Sequence, residues 1–319
     1  MSQTLALSSP QSLPALVTVA GERAGIRFLE FFASNIRNPH TRRAYAHAVG
    51  EFLAWCAQAG VRSITAVQPL HVGAWIELQT QTLSAPTVKQ HLAAIRHLFD
   101  WLVIGQVVPH NPAASVRGPS HTTRKGKTPV LDATEARQLL DSIDVSTPIG
   151  LRDRALIALM VFSFARVGAA LAMRVDDVYV QHRRLWVRLR EKGGKRHEMP
   201  CHHTLEAYLH AYLDSTGIAA DLKGPLFRTI ARGTGQLSTT PLPQANAYAM
   251  VRRRALAAGI GTAIGNHTFR ATGITAYLKS GGTLENAAAM ANHASTRTTQ
   301  LYDRRSDDIT LDEVERIHL

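Results

Sequence analysis

Between residues 22 and 111 the apolar side chains recur at helical spacing throughout. Ile26, Leu29, Phe32 and Ile36 make one stripe, and Tyr45, Ala48, Phe52 and Cys56 a second. Val72, Trp75, Ile76 and Gln79 make a weaker third. Val88, Leu92, Ile95, Phe99 and Leu102 make a fourth, ended by Gly105 and Pro109. Asn38-Pro39 reads as an N-cap followed by proline at the first helical position, and Ser84-Ala85-Pro86 opens the fourth helix. Four short helices with small loops can bury these stripes only against one another, so residues 21–115 are expected to form a compact all-α domain. Residues 1–20 are low in charge and contain Pro10 and Pro14, which predicts a mobile leader. They lack the basic start of a signal peptide.

Residues 116–129 crowd Gly, Pro and four cations into a short stretch and are expected to form a basic linker. The second domain is then 130–319. Asp132 and Glu135 have the spacing of a capping box, and 149–164 is a long, very apolar helix with Arg166 directly after it. Val178, Val180, Leu185, Val187 and Leu189 follow the strand period, and Lys192-Gly193-Gly194-Lys195 is a turn in a hairpin that ends at Pro200. Helical patterns return at 205–213, 244–258, 269–278 and 284–291, with an amphipathic terminal helix over 307–317. The predicted class is mainly α with a small antiparallel β-sheet, in two domains.

The 319 residues carry a formal charge of +12 and a pI near 10.2, which favours nucleic acid or an anionic membrane surface as partner. No run of eighteen apolar residues offers a membrane span. Two cysteines, Cys56 and Cys201, stand far apart in unlike contexts, so a disulfide framework is not expected and a reducing cytoplasm fits. On the helical domain Arg37, His40, Arg42, Arg43, Lys89, Arg96 and His97 fall on exposed faces. Such a face is either merely solvated or in contact with phosphates. With so little acid nearby, we expect Arg42, Arg43, Lys89 and Arg96 to touch DNA, joined by Arg124, Lys125 and Lys127 of the linker and Lys195 of the hairpin.

The chemistry gathers at the end of the chain: His267-Thr268-Phe269-Arg270, then Asn292-His293, then Leu301-Tyr302-Asp303. If Thr268 opens a helix, His267 and Arg270 share a face. Cleaving an anionic phosphodiester takes metal ions, or fixed cations with a positioned nucleophile. His197, His202, His203 and His210 match no zinc spacing, so no metal is expected. Arg166, ending an apolar helix, needs an anion: a phosphate, or a structural partner such as Asp176 or Asp177. Alone, Tyr302 would read as a packed tyrosine and Lys192 as a turn lysine.

Together these pieces resemble the tyrosine recombinase family, also called phage-type integrases. The stretch from His293 through Thr298-Thr299 to Tyr302 is similar to that family's C-terminal box, and Lys192 to Pro200 is similar to its lysine-bearing hairpin. The resemblance implies an N-terminal core-binding (SAM-like) domain and a C-terminal catalytic domain. It implies that Arg166 and Arg270 hold the scissile phosphate and that His267 moves the tyrosine proton. His293 would donate to a phosphate oxygen, Lys192 would protonate the leaving 5′-oxygen with Lys195 as competitor, and Tyr302 would form a 3′-phosphotyrosine. It implies a double-stranded recombination site as substrate, a homo-tetramer on synapsed DNA, a monomer or weak oligomer when free, no cofactor, and a cytoplasmic, nucleoid-associated protein without membrane contact. A type IB topoisomerase or a non-catalytic DNA-binding descendant are the alternatives. Two positions depart from the family: Ala169 stands where an acidic residue is usual, three after the first arginine, and Ala291-Asn292 replaces a usual Leu-Gly.

Overall fold

The computed structural model describes residues 13–122, 126–191 and 194–303. The chain divides after Thr122 into two compact units, each with its own core. The expected leader, of which 1–12 lies outside the described residues, is corrected over the rest: Ala15–Thr18 is a short helix, α1, with Leu16 and Val17 buried. Two apolar side chains that can enter the core outweigh the prolines before them.

Helix α2, Glu22–Glu30, runs into a π-helical turn at Phe31–Asn35. Helix α3 is Pro39–Gln58, capped as expected: the Asn38 side chain accepts from the amides of His40 and Thr41, and Pro39 occupies the first turn. Helices α4, Pro69–Thr82, and α5, Ala85–Ile104, complete the unit around Phe52, Trp75, Leu98 and Phe99. The stretch read as a linker is partly folded onto the units: Val116 packs on the first core, and the Gly126 amide donates to the Leu301 carbonyl at 2.9 Å in the second.

In the second unit α6, Ala133–Asp141, starts at the expected capping box, Asp132 Oδ1 accepting from the Glu135 amide at 2.7 Å. Helix α7, Pro148–Phe162, is buried on almost every side and packs against α9, His203–Thr216, and α11, Asn266–Lys279. Between α7 and α9 come α8, Val167–Leu171, and a three-stranded antiparallel sheet: β1 Val178–Gln181, β2 Arg184–Arg190 and β3 Arg196–Pro200, with Val187 opposite Val178 on one side and Met199 on the other. The inward residues of β2 are Leu185, Val187 and Leu189. A second sheet, β4 Arg228–Ile230 with β5 Leu237–Pro241, was not expected, because Leu237-Ser-Thr-Thr-Pro241 has no apolar alternation. Helix α10, Gln244–Ala257, α12, Leu284–Met290, and α13, Thr296–Gln300, finish the described fold. The predicted terminal helix at 307–317 lies outside the described residues. No described helix is long and apolar enough to cross a membrane.

Candidate active site

Three turns of chain build the site. The first ends α7. Phe164 adopts a left-handed conformation (φ 52°), which breaks the helix and leaves its carbonyl free to accept from Arg270 Nη1. Arg166 follows as the N-cap of α8. The second is the start of α11. The helix opens at Asn266, two residues before the expected Thr268, whose hydroxyl instead accepts from the Gly265 amide. His267 and Arg270 therefore sit one turn apart inside the helix. The third ends α12. The His293 amide donates to the Ala288 carbonyl at 2.9 Å and the Asn292 amide to Ala289 at 3.0 Å, with Asn292 left-handed (φ 47°). This is a Schellman cap, and its left-handed position favours Gly and then Asn. The departure at Ala291-Asn292 thus keeps the backbone turn that presents His293.

Arg270 is fully buried, at 1% exposure. Besides Phe164, its Nη2 donates to the Ala291 carbonyl at 2.6 Å and to His293 Nε2 at 2.7 Å, while its buried Nε has no partner among the described residues. A buried N–H without an acceptor is costly, and an anion delivered to the site would relieve it. Burial, then the charge of Arg166, lowers the Arg270 pKa to about 10, with Glu191 and Tyr302 pulling the other way. It stays cationic at neutral pH.

Arg166 is partly exposed and pairs through Nη1 with Glu191 Oε2 at 2.5 Å. Asp176 and Asp177, examples of the alternative, a structural partner, are engaged elsewhere: Asp176 with Lys223, Asp177 with Arg188 and Arg190. Glu191 was not foreseen. It continues the inward set of Leu185, Val187 and Leu189 one step past β2, and extending that alternation would have found it.

His293 hands on the contact: its Nδ1 lies 2.8 Å from Thr299 Oγ1, and its ring stacks on Tyr302 with centroids 5.9 Å apart and planes within 10°. Both ring nitrogens are thereby engaged inside the protein, so donation to phosphate would first require His293 to release Arg270. Burial, then Arg270 and Arg166, holds its pKa down at about 4. His267 keeps an exposed edge, yet desolvation and the same two arginines lower its pKa as well. Both rings are neutral near pH 7. The Tyr302 backbone is fixed by Thr275 Oγ1, which donates to its carbonyl at 2.8 Å, and the Gly126 amide donates to the Leu301 carbonyl at 2.9 Å.

The structure brings together Arg166, His267, Arg270, His293 and Tyr302; Lys192 lies outside the described residues. Of the expected DNA contacts, Arg124 and Lys125 also lie outside them. Arg43, Lys89, Lys127 and Lys195 are exposed. Arg42 and Arg96 are partly occupied: Arg42 donates twice to the Ile36 carbonyl, and Arg96 to the carbonyls of Ala113 and Val116, each tying a helix to a neighbouring segment. Their helical spacing could not reveal carbonyls brought in by the fold. No group of three or more metal-ligating side chains occurs among the described residues.

Residues 129–308 match the phage integrase family and residues 26–105 its N-terminal SAM-like domain. The chain is 28% identical over 264 residues to the tyrosine recombinase XerC of Xylella fastidiosa, an alignment covering 82% of this chain and 85% of that one. It is also 28% identical over 269 residues to XerD of Chlorobaculum tepidum, covering 82% and 85%. Among solved structures, the XerH site-specific recombinase bound to palindromic difH substrate superposes with a TM-score of 0.69 at 17% identity, over 96% of each chain.

Proposed function

The chain belongs to the phage integrase family, the tyrosine-type site-specific recombinases, and from that premise we propose that it cuts and rejoins double-stranded DNA with Tyr302 as the nucleophile. The observation that carries this reading is the continuous contact from Tyr302 through His293 to Arg270, with Glu191 reaching from there to Arg166. The tyrosine whose ring stacks on His293 in this set is the one the resemblance singles out.

In this reading the guanidiniums of Arg166 and Arg270 hold the non-bridging oxygens of one phosphate. A phenol has a pKa of about 10, so Tyr302 needs a base, and neutral His267 can accept its proton. The Tyr302 oxygen bonds to phosphorus as the bond to the 5′-oxygen breaks, and Lys192 gives that oxygen a proton. The phosphotyrosine keeps the bond energy, so ligation is the same step reversed and requires no nucleotide. His293 serves chiefly to hold Arg270 in place. Four copies on synapsed DNA would exchange strands through a Holliday junction. A match to the SAM-like domain as well as the catalytic one favours this over simple relaxation of supercoils.

The test uses a nicked duplex carrying a site mapped by footprinting, on which a cleaved strand cannot religate. Wild type should form a protein–DNA adduct stable to denaturant. Tyr302→Phe keeps the ring and its stacking and should form none while binding with unchanged affinity. An adduct in the Phe variant would rule out Tyr302.

A further inference from the structure

We infer that Glu191 is a positioning residue for cleavage: it supplies, from the end of β2, the buried carboxylate that aligns Arg166 beside Arg270. This rests on the recombinase reading above.

Two guanidiniums that must share one phosphate repel each other, and each lowers the local tolerance for the other's charge. Arg270 cannot move, because the Phe164 and Ala291 carbonyls and His293 clasp it on several sides. Arg166 is different: its side chain is 33% exposed, and repulsion would drive it outward to water. Glu191 opposes that. Its side chain is only 3% exposed, with one oxygen 2.5 Å from Arg166 Nη1 and the other 3.9 Å from Arg270 Nη1. A carboxylate this buried is stable only because cations flank it. It is also rigidly carried: the Glu191 amide donates to the Lys195 carbonyl at 2.9 Å and its carbonyl accepts from the Gly194 amide at 3.1 Å, closing the hairpin tip.

The position that would otherwise supply an acid cannot do so. Ala169 on α8, where the resembled family usually has one, is a buried methyl. In this chain the carboxylate beside Arg166 comes from the end of β2.

The experiment compares wild type, Glu191→Gln and Glu191→Asp on the nicked duplex, measuring single-turnover adduct formation, DNA affinity and the thermal midpoint. Gln is isosteric and removes only the charge. It should slow adduct formation by about 10- to 100-fold, the cost of a misplaced reacting group, while affinity stays within about threefold and the midpoint within a few degrees. Asp keeps the charge and should recover most of the rate. The assignment is overturned if Gln cleaves at the wild-type rate, if affinity and the midpoint fall along with the rate, or if Asp is no faster than Gln. If instead wild type itself forms no adduct, the recombinase reading fails, an outcome distinct from all three.

Discussion

Arg270 Nη2 donates to His293 Nε2 across 2.7 Å, and this contact decides where the histidine keeps its proton. A guanidinium can only donate, so Nε2 must accept and Nδ1 must carry the hydrogen. That hydrogen points at Thr299 Oγ1, 2.8 Å away and fully buried. Thr299 thereby fixes the tautomer that lets His293 hold Arg270.

Thr299→Val keeps the shape and removes the acceptor. The buried Nδ1–H is left unpaired, a loss of about 1–3 kcal/mol. Chemical denaturation should show that loss, and adduct formation should slow by roughly tenfold at unchanged DNA affinity, as expected when an aligned group drifts. Thr299→Ser should restore both. A Val variant with wild-type cleavage would detach Thr299 from the site.

The depressed pKa of His293 makes a signed prediction about pH. Free histidine titrates near ~6.5, whereas here the value is about 4. Between these the unfolded chain binds a proton that the folded one refuses, so the stabilisation is complete above about pH 6.5 and is lost as pH falls towards 4. His293→Gln can still accept from Arg270 but does not titrate. Its thermal midpoint should therefore fall less steeply than wild type from pH 7 to 4.5; parallel curves would contradict the shift.

Asn292 should tolerate glycine and resist alanine. At φ 47° an ordinary L-residue is disfavoured by roughly 1–2 kcal/mol, and Asn292 Nδ2 is buried without a partner among the described residues. Asn292→Gly relieves both and should be neutral or stabilising in urea denaturation. Asn292→Ala should lose about 1 kcal/mol. Equal effects of the two would show that the left-handed turn is not what position 292 supplies.

The general acid can be assigned by changing the leaving group. A 5′-alkoxide departs slowly without a proton, and general-acid help is typically worth roughly 10²–10⁴-fold. Lys192→Ala should be severely slow on normal DNA and nearly restored when sulfur replaces the bridging 5′-oxygen. Lys195→Ala should be mildly slow on both substrates. If sulfur rescues Lys195→Ala instead, the acid stands three residues further along; rescue of neither removes the hairpin from that role.

What the sequence determined by itself were features set by neighbours along the chain. The stripes of α3 and α5, the caps at Asn38 and Asp132, the period of β2 and the one-turn spacing of His267 and Arg270 depend on backbone periods of 3.6 and 2. The box from His293 to Tyr302 was legible in another way, through its resemblance to a family motif. Contacts between segments far apart in the chain were decided only by the tertiary structure. Glu191 meets Arg166 across 25 residues, Arg270 meets the Phe164 carbonyl across 106, and Leu131 meets Thr272 across 141. No local pattern encodes such pairings, because they exist only once α7, α11 and the hairpin have packed. The same packing gives Arg42 and Arg96 carbonyl partners that a surface reading of their helices could not supply. It also buries Leu16 and Val17 in a segment whose prolines suggested a loose end. Burial and long-range hydrogen bonding are properties of the assembled core, and the chain acquires them only on folding.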